Sequence, residues 1–244
     1  QMVIEEQTSA DAQAWESSAS VTVLYVDDKL PMSTTMGGLV DRAPGVQLQT
    51  FGDADSFAGV SIRGSTMRQV RVYLDGIPLN PEGGQAINLS EWPIRAFDRV
   101  EVYRGNSPSH LGGAAIGGTI NMVRSDNFEG AATSGSINNH GRLSIDGHTT
   151  ITPQIYDHNH RISAYVNAVV NKGKFTYYSD NGTPFNRIDD SRSQRDHNAS
   201  STFHGLFGWQ TDTSAGRISV IDAWMAKGAE LPGHINNPAQ AARL

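Results

Sequence analysis

The chain has 244 residues, a formal net charge of −6 and no cysteine. It offers no basic patch for a phosphate backbone, which argues against nucleic acid as a partner, and thiol catalysis, disulfides and thiolate metal sites are excluded. Hydrophobic residues make up 38% and glycines number 25, a balance that favours a β-rich, turn-rich protein over a helical one.

No apolar run approaches the roughly 20 residues of a membrane-spanning helix. Residues 1–8 lack the basic-then-apolar order of a signal peptide. A cytosolic protein and an exported protein with its signal removed both fit. A β-barrel fits too, because its strands alternate polar and apolar residues and leave no hydropathy peak.

Residues 1–20 are small and polar apart from Met2, Val3 and Ile4, and read as a flexible leader. Residues 21–26, Val-Thr-Val-Leu-Tyr-Val, have the β-branched content of a strand. Ser33, Thr34 and Thr35 offer an N-cap for a short helix over 36–41, closed before Pro44 and Gly45. Short strands are predicted at 60–62, 70–74, 100–103 and 119–123. Alternation turns Val70, Val72, Leu74, Val100 and Val102 toward a core. Glycine-rich loops separate these strands in a small α+β domain that ends near Arg124.

From residue 127 the texture changes. Ile162, Ala164, Val166, Ala168 and Val170 share one face, opposite Arg161, Ser163, Tyr165 and Asn167. Phe203, Phe207 and Trp209 face away from Thr202 and His204, and Leu143 and Ile145 alternate with Arg142, Ser144 and Asp146. Ile218, Val220 and Trp224 suggest a further strand whose alternation Asp222 breaks. A long polar loop occupies 177–197. About four strands fit into 131–227, each near the 9–11 residues that a tilted membrane strand needs. An antiparallel sheet with one wet face gives the same period.

No nucleophile elbow or metal-hydrolase motif is present, so no catalytic residues are expected. The acidic stretch 53–59 lacks the bidentate Glu of a calcium loop, and His158 and His160 lack a third ligand. The Gly-rich 112–118 lacks phosphate-loop spacing. No metal site and no cofactor is expected.

Five motifs remain: Leu-Val-Asp-Arg-Ala-Pro-Gly-Val at 39–46, Val-Ser-Ile-Arg-Gly at 60–64, Val-Tyr-Leu-Asp-Gly at 72–76, Asp-Arg-Val-Glu-Val-Tyr-Arg-Gly at 98–105 and Ala-Ile-Gly-Gly-Thr-Ile-Asn at 115–121. In this order and spacing they resemble the plug domain of TonB-dependent outer-membrane receptors and transporters. Asn106 stands where the family usually has Pro, and Leu111 where Tyr is common; both lie in a loop. The resemblance implies an α+β plug domain, a small mixed sheet with short helices, over 21–126. Over 127–244 it implies the first antiparallel strands of a transmembrane β-barrel, incomplete in this chain. Four strands cannot close a barrel of the 22-stranded plugged class, and an open edge in lipid leaves backbone groups unpaired. A longer protein is therefore expected.

The resemblance also implies TonB-dependent active transport of a scarce ligand (siderophore, cobalamin, haem or similar) across the outer membrane of a Gram-negative bacterium, with the plug gating the barrel. A non-transporting surface receptor on the same scaffold is the alternative. Arg63 and Arg104 match plug arginines that hold a seal against barrel glutamates; the competing reading is a local carboxylate, Glu101 or Asp98. Met2, Val3, Ile4, Glu5 and Glu6 stand at the TonB box, which would add as a strand to the periplasmic C-terminal domain of TonB. Residues 49–57 and 78–92 correspond to apical loops, where Asn80, Glu82, Gln85 and Trp92 are the candidate ligand contacts. The implied partners are TonB, outer-membrane lipid and an extracellular small ligand such as a metal chelate. With only residues 1–20 ahead of the plug, no separate signalling domain is expected.

Overall fold

The computed structural model describes residues 21–231, 242 and 243, apart from 28, 32, 52–55, 82–83, 106, 113–114, 125–129, 139–140, 157, 175, 184, 196–197 and 215. The chain divides into two units, Gln1–Phe128 and Glu129–Leu244.

In the first unit the elements are β1 (Val21–Tyr25), α1 (Met36–Val40), β2 (Val46–Thr50), β3 (Ala58–Ile62), β4 (Val70–Leu74), β5 (Ile77–Pro78), β6 (Phe97–Tyr103) and β7 (Gly118–Arg124). Five strands form one sheet in the order β1-β6-β7-β4-β5, and β2 pairs with β3 as a separate hairpin. The sheet is mixed: β4 and β7 run parallel and the other neighbours antiparallel. The predicted core positions Val70, Val72, Leu74, Val100 and Val102 are at most 3% exposed, and Ile120 and Met122 complete the layer. Met36, Leu39, Val40, Val60 and Ile62 from α1 and β3 join the same core. Full burial of each such aliphatic side chain contributes about 1.5–3 kcal/mol.

Local chemistry sets the ends of these elements. Thr35 caps α1, its Oγ1 accepting from the Gly38 N–H at 3.1 Å. The helix cannot run past Pro44, and the Asp41 carboxylate accepts from the Leu48 N–H at 2.7 Å, fixing where β2 begins. Asp75 and Gly76 both take positive φ, 47° and 82°, in the two-residue turn between paired Leu74 and Ile77. That is the mirror-image turn that Asp-Gly favours and that suits strand twist.

The second unit contains β8 (Gly130–Ile137), β9 (Arg142–Ile151), β10 (Gln154–Ile155), β11 (His158–Asn171), β12 (Thr176–Ser179), β13 (Ser191–Gln194), β14 (Ser200–Thr213), β15 (Gly216–Leu231) and β16 (Ala242–Arg243). The main sheet is an antiparallel meander in the order β8-β9-β11-β14-β15-β16. Two features go beyond the sequence pattern. β8 is a fifth long strand whose Gly-Ala-Ala-Thr-Ser-Gly-Ser composition has almost no hydrophobic signal, and the loop at 177–197 contains the β12–β13 hairpin.

The register decides between the two readings of this sheet. Val166 lies beside Gly147 and Gly205, Ala168 beside Ile145 and Phe203, and Trp224 beyond Gly205, so the apolar positions form continuous rows on one face. That face is the exposed one, with Ile145 at 55%, Val170 at 50% and Trp224 at 47%. The opposite face holds Ser144, Asp146, Asn167 and His204, all buried. A water-facing sheet has the reverse arrangement. Apolar outward and polar inward is the pattern of a transmembrane barrel wall. The 214–215 turn is short and the 172–199 connection long, which assigns the first to the periplasmic end and the second to the outside.

Gly118 takes φ +118°, and a Cβ there would come within 2.6 Å of the Tyr103 carbonyl oxygen. Gly64, at φ +78°, faces open space. Gly118→Ala should therefore destabilise the first unit more than Gly64→Ala, which carries only the roughly 1–3 kcal/mol of backbone strain; urea melts of the two variants check the order.

Candidate functional site

Motifs far apart in sequence meet at one end of the five-stranded sheet. The Arg63 N–H donates to the Gly45 carbonyl at 2.7 Å, and Arg63 holds φ +52° in the turn that leaves β3. Arg104, just past β6, donates from Nη1 to the Pro44 carbonyl at 3.4 Å. Arg63 is exposed and Arg104 half-buried, so both predicted arginines gather around the Pro44–Gly45 turn. Gly117 and Gly118 close this end, because a Cβ on Gly117 would strike the Ser65 hydroxyl. Glu101, weighed as a local partner for these arginines, is engaged elsewhere.

The other end of β3 reaches the predicted ligand loops. Asn88 Oδ1 accepts from the Ala58 N–H at 2.8 Å and from the Ser90 N–H and hydroxyl, while its Nδ2 donates to Glu91 at 2.9 Å. One side chain thus ties the 78–92 loop to the start of β3, beside which Phe51 and Phe57 pack at 5.8 Å. Sequence reasoning singled out both loops but not Asn88, which carries no motif. Asn80 lies within the second loop, and its amide is occupied by backbone: Oδ1 accepts from Val72 N–H at 2.7 Å, and Nδ2 donates to the Val70 and Gln85 carbonyls. Gln85 is exposed, and Trp92 is half-buried against Phe97 at 6.4 Å. Glu82 and the segment from Met2 to Glu6 lie outside the described residues.

A third cluster crosses the sheet on the face opposite Val100 and Val102. Glu101, 6% exposed, accepts from Arg99 Nε at 2.9 Å and from the Tyr103 hydroxyl and Asn121 Nδ2, each at 3.0 Å. Asn121 Oδ1 in turn accepts from the Gly76 N–H at 3.0 Å. Next to it, the Asp75 carboxylate accepts from the Arg124 N–H at 2.9 Å and pairs with the Arg124 guanidinium. The buried Glu101 and the half-buried Asp75 carboxylates are therefore both hydrogen-bonded, as burial demands. Burial, reinforced by the Glu101 charge, keeps the Tyr103 hydroxyl protonated well above the ordinary phenol range. The sequence clue was a charged residue inside Val-Glu-Val-Tyr, on the strand side away from the valines.

In the second unit a polar row runs along the buried face. Ser134 donates to Asp146 at 2.6 Å, Asn167 to the Ser144 hydroxyl at 3.2 Å, and His204 Nδ1 lies 3.2 Å from Asn167 Oδ1. Hydrogen-bonded polar side chains of this kind line the interior of barrel walls.

A small α+β domain followed by an antiparallel sheet with its apolar side exposed has the architecture of a plug with barrel-wall strands. Residues 13–119 match the family TonB-dependent Receptor Plug Domain. Solved structures share the fold at low identity. The pyoverdine outer membrane receptor FpvA from Pseudomonas aeruginosa PAO1 is 16% identical with a TM-score of 0.59, over 87% of this chain and 28% of that one. The copper transporter OprC is 14% identical with a TM-score of 0.60, over 88% and 31%. The ferric enterobactin receptor PfeA of P. aeruginosa is 12% identical with a TM-score of 0.51, over 93% and 45%. The chain thus spans less than half the length of each of these structures. Residues 13–119 thus match a TonB-dependent receptor plug domain, and the chain as a whole shares the fold of a plug followed by the opening strands of a barrel.

Tyr103 links the buried cluster to alkaline stability. Its folded pKa is raised above the unfolded value of about 10, so its contribution is whole below that pH and is lost as pH climbs beyond it. Tyr103→Phe should remove part of the alkaline fall in stability while leaving the neutral-pH fold intact, as read by denaturant melts between neutral pH and pH about 11.

Proposed function

We propose that this chain supplies the gate and part of the ligand-facing surface of a transporter that draws a metal or metal chelate through the outer membrane, energised through TonB. The observation that carries the reading is the meeting of Arg63, Arg104 and Pro44–Gly45 at one end of β3, with Asn88 and the two apical loops at the other. β3 has five buried residues between them, a stiff spacer of about 16 Å. The relatives named for pyoverdine, copper and ferric enterobactin support a metal-linked cargo.

In this reading ligand settles on the apical loops, where Gln85, Glu82 and Trp92 are the plug contacts and Asn80 shapes the loop. Arg63 and Arg104 pair with glutamates of the barrel. Guanidinium–carboxylate contacts suit a seal that opens, since they are strong when made and are rehydrated when pulled apart. Met2, Val3, Ile4, Glu5 and Glu6 form the segment that TonB captures by strand addition. Nothing in the cycle requires covalent chemistry.

The test uses cells producing the full-length protein and a panel of labelled ferric siderophores and copper. Removing residues 2–6 should abolish uptake while leaving surface binding unchanged. The double variant Arg63→Ala with Arg104→Ala should admit large antibiotics that the wild type excludes. Binding of a panel member without energy-dependent uptake by the wild type would assign the protein to the surface receptors instead. Unchanged permeability in a correctly inserted double variant would remove the seal role.

A further inference from the structure

Among the described residues, three turns place a non-glycine residue with positive φ directly before a glycine. They are Arg63–Gly64 at 52° and 78°, Asp75–Gly76 at 47° and 82°, and Asn181–Gly182 at 51° and 80°. Each is a mirror-image turn closed across its ends. The Ser65 N–H donates to the Ile62 carbonyl at 3.0 Å, Leu74 pairs with Ile77, and the Thr183 N–H donates to the Asp180 carbonyl at 2.8 Å. Asp and Asn are favoured at the first central position, because their short side chains bond locally and tolerate the left-handed region. Arginine has no such device. Its presence at 63 runs against the preference of the turn, and strain of this kind persists only where the surroundings over-determine it.

Ser65 supplies that determination. Its Oγ accepts from the Ile62 N–H at 3.1 Å while its own N–H donates to the Ile62 carbonyl, so one residue fastens Ile62 twice and brackets Arg63 and Gly64 between the two bonds. Ile62 is 1% exposed, and its N–H would be costly to leave without that oxygen. The hydroxyl is itself confined. A Cβ on Gly117 would lie 2.5 Å from Ser65 Oγ, and the Gly117 N–H is anchored to the Gln69 carbonyl at 3.1 Å. On the other side of the turn the Arg63 N–H reaches the Gly45 carbonyl at 2.7 Å. Ser65, one residue past the 60–64 motif, thus ties the approach to β7 to the turn that carries Arg63.

We propose that Ser65 is a positioning residue for the Arg63 seal, holding residue 63 in the left-handed region so that the guanidinium leaves the turn in one direction. The role rests on the seal assigned to Arg63 above. The coupling of Ser65 to the backbone at 63 is independent of it.

The test compares full-length wild type, Ser65→Ala, Arg63→Asn and the double variant at matched surface levels. Hydrogen exchange is read at the residue 63 amide, and permeability as entry of large antibiotics into cells. Ser65→Ala should raise exchange at that amide about fivefold in the wild-type background, the factor carried by one ordinary hydrogen bond. In the Arg63→Asn background, where asparagine holds the turn by itself, the same change should be small. In cells Ser65→Ala should leak, yet add nothing to the leak of Arg63→Asn, because the two residues act as one. Ser65→Thr, which keeps the hydroxyl, should stay closer to wild type than Ser65→Ala in both readings. Equal exchange effects in the two backgrounds, or leaks that add, would make Ser65 a general structural contact and overturn the proposal. A Ser65→Ala variant with unaltered exchange and no leak would overturn it as well. Absence of a leak from Arg63→Asn would overturn the seal reading itself, and an exchange coupling that persists there tells the two failures apart.

Discussion

The first unit depends on one pairing, the parallel register of β4 with β7. Parallel strands cannot be joined by a hairpin. The chain must leave Leu74, travel and come back at Gly118, and everything between those points is shaped by the journey. The 78–92 loop, with Asn80 and Asn88, is part of it, and so is β6, which enters the sheet on the far side of β7. The ends of the parallel pair are then fastened. Asp75 takes the Arg124 backbone and side chain, and Asn121 takes the Gly76 N–H. At the opposite end Gly117 and Gly118 let β7 start hard against Ser65 and Tyr103. The motifs at 72–76 and 115–121 are therefore the fastenings of one crossover, short glycine-bearing pieces rather than one long signature.

That geometry also explains what the sequence revealed. Strands with a dry side, such as 70–74 and 100–103, show their alternation plainly, and the Thr35 cap and Pro44 bracket the helix. β2 alternates as well, Val46 and Leu48 against Gln47 and Gln49, but its apolar positions are only half-buried, so it is a short strand without a fully dry side. β8 stayed hidden for a different reason: its outward positions Ala131, Thr133 and Gly135 are small, and the sheet's apolar area comes from neighbours. The side-chain clamps were the least legible. Asn88 and Asn121 act on backbone groups 30 and 45 residues away, and no local spacing encodes that.

Periodicity could not distinguish a wet sheet from a membrane wall because both alternate every second residue. The distinction lies in which face is covered. Tyr165, Asn167 and His204 are buried while Val166, Val170 and Phe203 are exposed, an arrangement unfavourable in water and favourable in lipid. Gly205 shows the same logic at one residue. A Cβ there would overlap the Trp224 ring, so the glycine is a shallow seat that lets the tryptophan lie flat against the wall beside Phe203, 5.1 Å away.

The two sides of the five-stranded sheet differ in chemistry. One side is an apolar layer of Val100, Val102, Ile120 and Met122, whose exposure to water would be unfavourable in proportion to area. The other side, under Val21 and Val23 of the edge strand β1, combines apolar contacts with the Glu101 cluster. Charged and amide groups there lose their mutual hydrogen bonds when opened but regain hydration, so the net penalty is smaller than the sum of the bonds. Lifting β1 would uncover Val21 and Val23 over that cluster and Leu24 over the apolar layer, while the Glu101 hydrogen bonds and the β6–β7–β4 ladder, which lie within the remaining strands, would stay paired.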